Sequence, residues 1–65
     1  MLGKWDVTSN LVGSKVLYQV YRLLDTGEVD HSGNREYAGP VFYDRGAAEG
    51  YAKYMNEVEP GGEND

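Results

Sequence analysis

Reactive side chains concentrate between positions 28 and 36, where Glu28, Asp30, His31, Ser32, Asn34, Arg35 and Glu36 follow closely on one another. Asp30-His31-Ser32 has the residue types of a hydrolytic relay, but three adjacent residues do not converge as such a relay requires. Asp30, Ser32 and Asn34 have the spacing that opens a calcium loop. The loop's glycine is misplaced, however, at Gly33, and Val41 stands where a bidentate glutamate belongs. Asp30, His31 and Glu36 could offer oxygen and nitrogen to a metal, although one histidine among loop carboxylates is a weak ligand set. The alternative is a hydrogen-bonded connection. In it Asp30, Ser32 and Asn34 cap local amides, Gly33 takes a positive φ and Arg35 pairs with a carboxylate. This second reading is the expectation, with the loop kept as a polar candidate site and with no catalytic residue, cofactor or metal.

Other motifs of chemistry are missing from the sequence. Gly46-Ala47-Ala48-Glu49-Gly50 has glycines without the Lys and Ser/Thr of a phosphate loop. The chain has no cysteine, so it offers neither disulfides nor thiolate ligands. With 65 residues it makes one domain at most. A core of that size supplies only about 3–5 kcal/mol, which makes a partner chain an attractive source of further stability. No apolar run is long enough to span a bilayer, and the first residues lack the basic flank and apolar run of a secretory leader. A cytoplasmic protein is expected.

The elements that must position any surface follow from patterning. Trp5 to Thr8 alternates as a short half-buried strand, with turn residues at Ser9-Asn10 and Gly13-Ser14. Lys15 to Leu24 is the longest strand candidate, and Asp25-Thr26-Gly27 ends it with a turn signal. A long polar connection leads from Asp25 to Glu36; it is either without regular structure or pairs Glu28-Val29-Asp30 as a short extra strand with a turn at Ser32-Gly33-Asn34. Tyr37 to Tyr43 then reads as a third strand, which Pro40 confines to an edge or a bulge. Asp44 caps a helix whose apolar stripe is Ala48, Tyr51, Ala52, Met55 and Val58, and the helix stops before Pro60. The prediction is α+β: three antiparallel strands packed on one C-terminal helix, in a single domain over 1–58. Residues 59–65 are expected to be a disordered acidic tail. The last nine residues hold four acids and no base, so residues 1–56 are nearly neutral within a chain of net charge −5.

Side chains alternate between the two faces of a strand. Val16, Tyr18, Val20 and Leu24, with Arg22 among them, are assigned with Trp5, Val7 and Phe42 to the core beneath the helix. The opposite face then carries Leu17, Tyr21 and Leu23, joined by Tyr37, Val41 and Tyr43. One helix covers one face. The other is left as a wet patch of leucine, valine and tyrosine, the composition of an interface.

Two resemblances accompany this reading. Trp5-Asp6-Val7-x-Ser9-Asn10, Tyr18-x-Val20-Tyr21-Arg22, Asp30-His31-Ser32-Gly33-Asn34-Arg35-Glu36-Tyr37 and Ala48-x-x-x-Ala52-x-x-Met55-Asn56 resemble a family of short bacterial (clostridia-like) proteins. No activity is assigned to that family. Phe42, Asp44, Ala48 and Ala52 are similar in arrangement to the last strand and helix of integrase arm-binding N-terminal domains, which lay a three-stranded sheet into DNA. The likeness departs at the bases. Lys15 and Arg22 fall on opposite faces of one strand, and Lys4, Arg35, Arg45 and Lys53 are scattered, whereas phosphate binding needs several bases together. The expected function is a non-catalytic protein-interaction module, self-associating as a homodimer through the exposed sheet face or an edge strand. The alternative is nucleic-acid binding by the sheet and the 25–36 loop, and no membrane contact is expected.

Overall fold

The computed structural model describes residues 2–58 and has the expected βββα order. The strands are β1 (Asp6–Val12), β2 (Lys15–Leu23) and β3 (Arg35–Phe42), and the helix is α1 (Arg45–Val58). The sheet is antiparallel with β2 in the centre. The acidic tail expected at 59–65 lies outside the described residues.

β1 is longer than its sequence suggests and runs through Ser9-Asn10 without turning. The turn is made by Gly13-Ser14 alone, with Val12 paired to Lys15 and Gly13 at a φ of 64°. A glycine at the first central position is what a two-residue hairpin of the II′ kind demands. Beyond β2, the polar connection is not structureless. A 3₁₀ turn spans Ser32–Asn34, and β3 begins at Arg35 instead of Tyr37, because Arg35 and Glu36 already pair with Leu23 and Arg22. Gly33 is not at positive φ; among the described residues only Gly13 and Gly39 are. β3 ends at Phe42, one residue before Tyr43.

Helix α1 begins where expected. The Ala47 amide donates to the Asp44 carboxylate at 2.9 Å, which is the bond of an N-cap. Ala48 and Ala52 are buried against Val20 and Trp5, and Val7, Tyr18, Ala38, Phe42, Tyr51 and Met55 complete the core. Two alanines on the contact stripe let the helix lie close to the sheet. Three residues assigned to the core are not in it. Val16 and Leu24 are 44% and 43% exposed, and Val58 is exposed as well. Length explains the two on the sheet. Fourteen helical residues span about 21 Å, whereas the nine of β2 span about 30 Å, so Val16 at one end of the strand and Leu24 just beyond the other outrun the cover. Val58 is the last residue of α1.

Polar side chains close the seams. Asn56 on α1 accepts from the Trp5 amide at 2.7 Å and donates to the Trp5 carbonyl at 3.0 Å, replacing a neighbouring strand for that residue. Arg22, on the core face as expected, is buried with its guanidinium 4.5 Å from the Trp5 ring and bound to Glu36 at 2.9 Å. Pro40 sits on edge strand β3 within an irregularity of register, where the partners of Tyr18 and Val20 are Phe42 and Ala38. The missing amide proton therefore breaks no interior ladder.

Candidate interaction surface

With Val20, Tyr18, Ala38 and Phe42 turned to the helix, alternation sends Leu17, Tyr21 and Leu23 of β2, and Tyr37 of β3, to the other side of the sheet. Tyr21 and Tyr37 are directly paired across the strands, with ring centroids 6.4 Å apart and planes tilted by 42°. Leu17, Tyr21 and Leu23 are half-buried, Tyr21 and Leu23 beside Gly3, Lys4, Asp6 and Thr26, while Tyr37 is 45% and Val41 42% exposed. Tyr43 follows β3 and lines a shallow hollow with Lys15 and Val16 at the hairpin end of the sheet, apart from the tyrosine pair.

One edge of this patch is polar and ordered. The Arg35 guanidinium lies 4.2 Å from the Tyr21 ring and is fixed there by two bonds to Asp30, at 2.7 and 3.1 Å. Burial raises the Tyr21 phenol above its ordinary pKa, against the lowering effect of the Arg35 charge. The Arg35 bonds hold the Asp30 carboxyl below the usual carboxylate range. A carboxyl lowered on folding contributes stability above its unfolded pKa of about 3.9 and loses it as pH falls through the lowered value. Asp30→Asn is therefore expected to lower the urea midpoint at neutral pH and low salt. The gap to wild type should begin to narrow below about pH 4, close once pH has fallen through the lowered value, and shrink with added salt, as exposed pairs do.

The polar candidate residues do not converge on one point. Asp30 and Arg35 lie at the outer face, whereas Glu36 is bound to Arg22 on the helix side. His31 accepts from the Gly33 amide through Nδ1 at 3.0 Å, and its carbonyl accepts from the Asn34 amide at 2.8 Å. Asn34 is buried and holds Asp25 and Val29 by their backbones. Gly27 donates to the Asp25 carboxylate at 2.9 Å, and that bond lowers the Asp25 pKa. Among the described residues, no three His, Asp or Glu side chains group as a metal site would need. The bonds made here are those of a folded connection.

A second feature lies on the other side of the sheet and has no counterpart in the sequence pattern. Between β1 and α1 runs an open groove of about 390 Å³, lined by Val7 and Ala52 and by the polar and charged residues Asp6, Arg45, Glu49, Lys53, Asn56 and Glu57. Only the placement of the helix over β1 and β2 creates it, so no local motif announces it.

No helix among the described residues is long and apolar enough to cross a membrane. No protein-family model matches the chain, and neither a curated protein nor a solved structure is significantly similar to it. Whatever is concluded about its role therefore rests on the two surfaces just described.

Proposed function

We propose that this chain is a non-catalytic protein-interaction module that self-associates, with the outer sheet face as its contact surface. The observation that carries this reading is the Tyr21–Tyr37 pair on the face without the helix, Tyr37 exposed and Tyr21 half-buried beneath Arg35, with Leu17, Leu23 and Val41 around it. The single helix packs on the opposite side. Tyrosines held rigidly on strands bury much area at low entropic cost, and they anchor interfaces for that reason. The side chains of Asp25, Asp30, His31, Asn34, Arg35 and Glu36 are engaged in structural bonds, which favours contact over catalysis. Nucleic acid is the weaker reading. Lys4 and Lys15 stand at opposite ends of the sheet, and Arg35 is already bound to Asp30.

Magnitude limits what one face can do. Nine residues of strand by three strands project only about 30 by 14 Å, or about 400 Å². A stable interface takes about 800 Å² per partner. The face of one copy is about half of that, and copies of this chain must present more surface than a single sheet to hold together. The test is sedimentation equilibrium at tens of micromolar. Wild type is expected to exceed its monomer mass of 7.2 kDa, and Tyr37→Lys with Val41→Lys to lower the mass. A double variant with the wild-type mass would discard the outer face as the contact surface.

A further inference from the structure

Strand β1 is an edge with little of the usual protection: the Asp6 carboxylate accepts from the Val7 amide at 2.9 Å, and no lysine, proline or bulge follows. Proteins guard exposed edges with lysine, proline, bulges or very short strands. β3, the other edge, has Pro40, Gly39 and an irregular register. β1 has seven residues in unbroken register with β2, and its one charge is Asp6 at the end. Its helix-side residues are Val7, Ser9 and Leu11. Leu11 is 69% exposed, whereas Val7, four residues away, lines the open groove beside α1.

We infer that two copies pair antiparallel through β1, about a two-fold axis at Ser9 that stands normal to the sheet. Knob and hole lie on the same strand, each two residues from Ser9, so this operation places Leu11 of each copy opposite Val7 of the other. Leu11 then enters the groove between Val7 and Ala52, and it does so twice, as an isologous contact requires. All seven residues of β1 then stand opposite a residue of the second copy, Asp6 facing Val12, and the Val7 amide exchanges its bond to the Asp6 carboxylate for the second copy's backbone. Lys15 of that copy is the neighbour of Val12 on β2, two strand spacings or about 10 Å from Asp6, within reach of a lysine side chain. A foreign extended peptide could satisfy the same backbone edge. Only a second copy explains why the exposed leucine and the groove are placed symmetrically about one residue.

The contact goes beyond the outer-face reading and stands without it, but it resolves the shortage of area. Edge pairing joins two three-stranded sheets into one of six strands and doubles the outer face to about 800 Å². Such a face is large enough for two edge-paired dimers to stack on it. The expected assembly is a four-chain particle.

Sedimentation equilibrium on three proteins separates the two contacts. Wild type is expected at four times the chain mass. The outer-face variant Tyr37→Lys with Val41→Lys is expected at twice that mass, held by the edge alone. Leu11→Lys is expected at the chain mass, because it removes the apolar side chain that packs on Val7 and Ala52 and leaves too little face to associate. Val12→Lys, also at a site exposed in the monomer, should weaken pairing and serves if Leu11→Lys misfolds. An outer-face variant that sediments as a monomer would overturn the edge contact, as would a Leu11→Lys protein of wild-type mass. Wild type and outer-face variant both at twice the chain mass would uphold the edge and sink the outer-face reading instead.

Discussion

Gly39→Ala is expected to cost the monomer about 2–4 kcal/mol, most of what a core of this size supplies. Two effects combine. Gly39 has a φ of 76°, where an L side chain is strained by about 1–2 kcal/mol. A Cβ there would also lie 2.6 Å from Tyr51 Cε2, closer than atoms can approach. The ring cannot swing away freely, because it packs between Phe42 and Tyr54, with centroids 5.7 and 6.2 Å distant. Gly13→Ala is the internal control. Its φ of 64° gives similar backbone strain, but nothing lies within 4 Å of the new atom, so only about 1–2 kcal/mol is expected. Urea unfolding followed by the single tryptophan, Trp5, gives both values. If the two alanines prove equally costly, the contact with Tyr51 contributes nothing. A Tyr51→Ala background tests the same point from the other side. There the penalty at Gly39 should fall toward that at Gly13, as coupled neighbours require.

Gly39 also shows what the sequence could and could not disclose. In the chain it is merely a glycine before a proline, and Pro40 alone is enough to place an edge strand with an irregularity. That the glycine must accept an aromatic ring depends on Tyr51, on another element. The elements themselves were legible because they rest on local signals: alternation along β2, the Asp44 cap, and alanines spaced by four on α1. Face assignment follows from the same alternation, which is why Tyr21 and Tyr37 can be put on one face from the chain alone, whereas their direct pairing depends on the register of β2 and β3. Errors arose where polar residues had distant partners. Glu36 reads as loop until Arg22 is known to be buried against Trp5 and in need of a carboxylate. Ser9-Asn10 reads as a turn until Tyr18 and Leu17 are seen paired with it. The groove beside β1 is harder still, since it is a property of how one element rests on another.

Asn34→Ala is expected to unfasten the connection that carries the polar rim of the outer face, at about 2–4 kcal/mol for three lost bonds and the backbone groups they leave unpaired. The side chain is only 6% exposed. It accepts from the Asp25 amide at 3.0 Å and donates to the carbonyls of Asp25 and Val29 at 2.9 and 3.1 Å. One amide thus does for the loop what a neighbouring strand does for β2. Its loss should first appear as faster amide exchange at Asp25 and as a loosened Asp30–Arg35 pair over Tyr21, before the core around Trp5 responds. Asn34→Asp sharpens the test, because a carboxylate can accept from Asp25 but cannot donate to either carbonyl. Facing two carbonyl oxygens, its folded pKa must rise above the unfolded value. Relative to the alanine variant, its stability should therefore improve as pH falls through that raised pKa and be fully present below about 3.9. Equal pH profiles for the alanine and aspartate variants would mean that the carbonyl bonds are incidental. A wild-type exchange rate at Asp25 in Asn34→Ala would mean that the loop is held by something else.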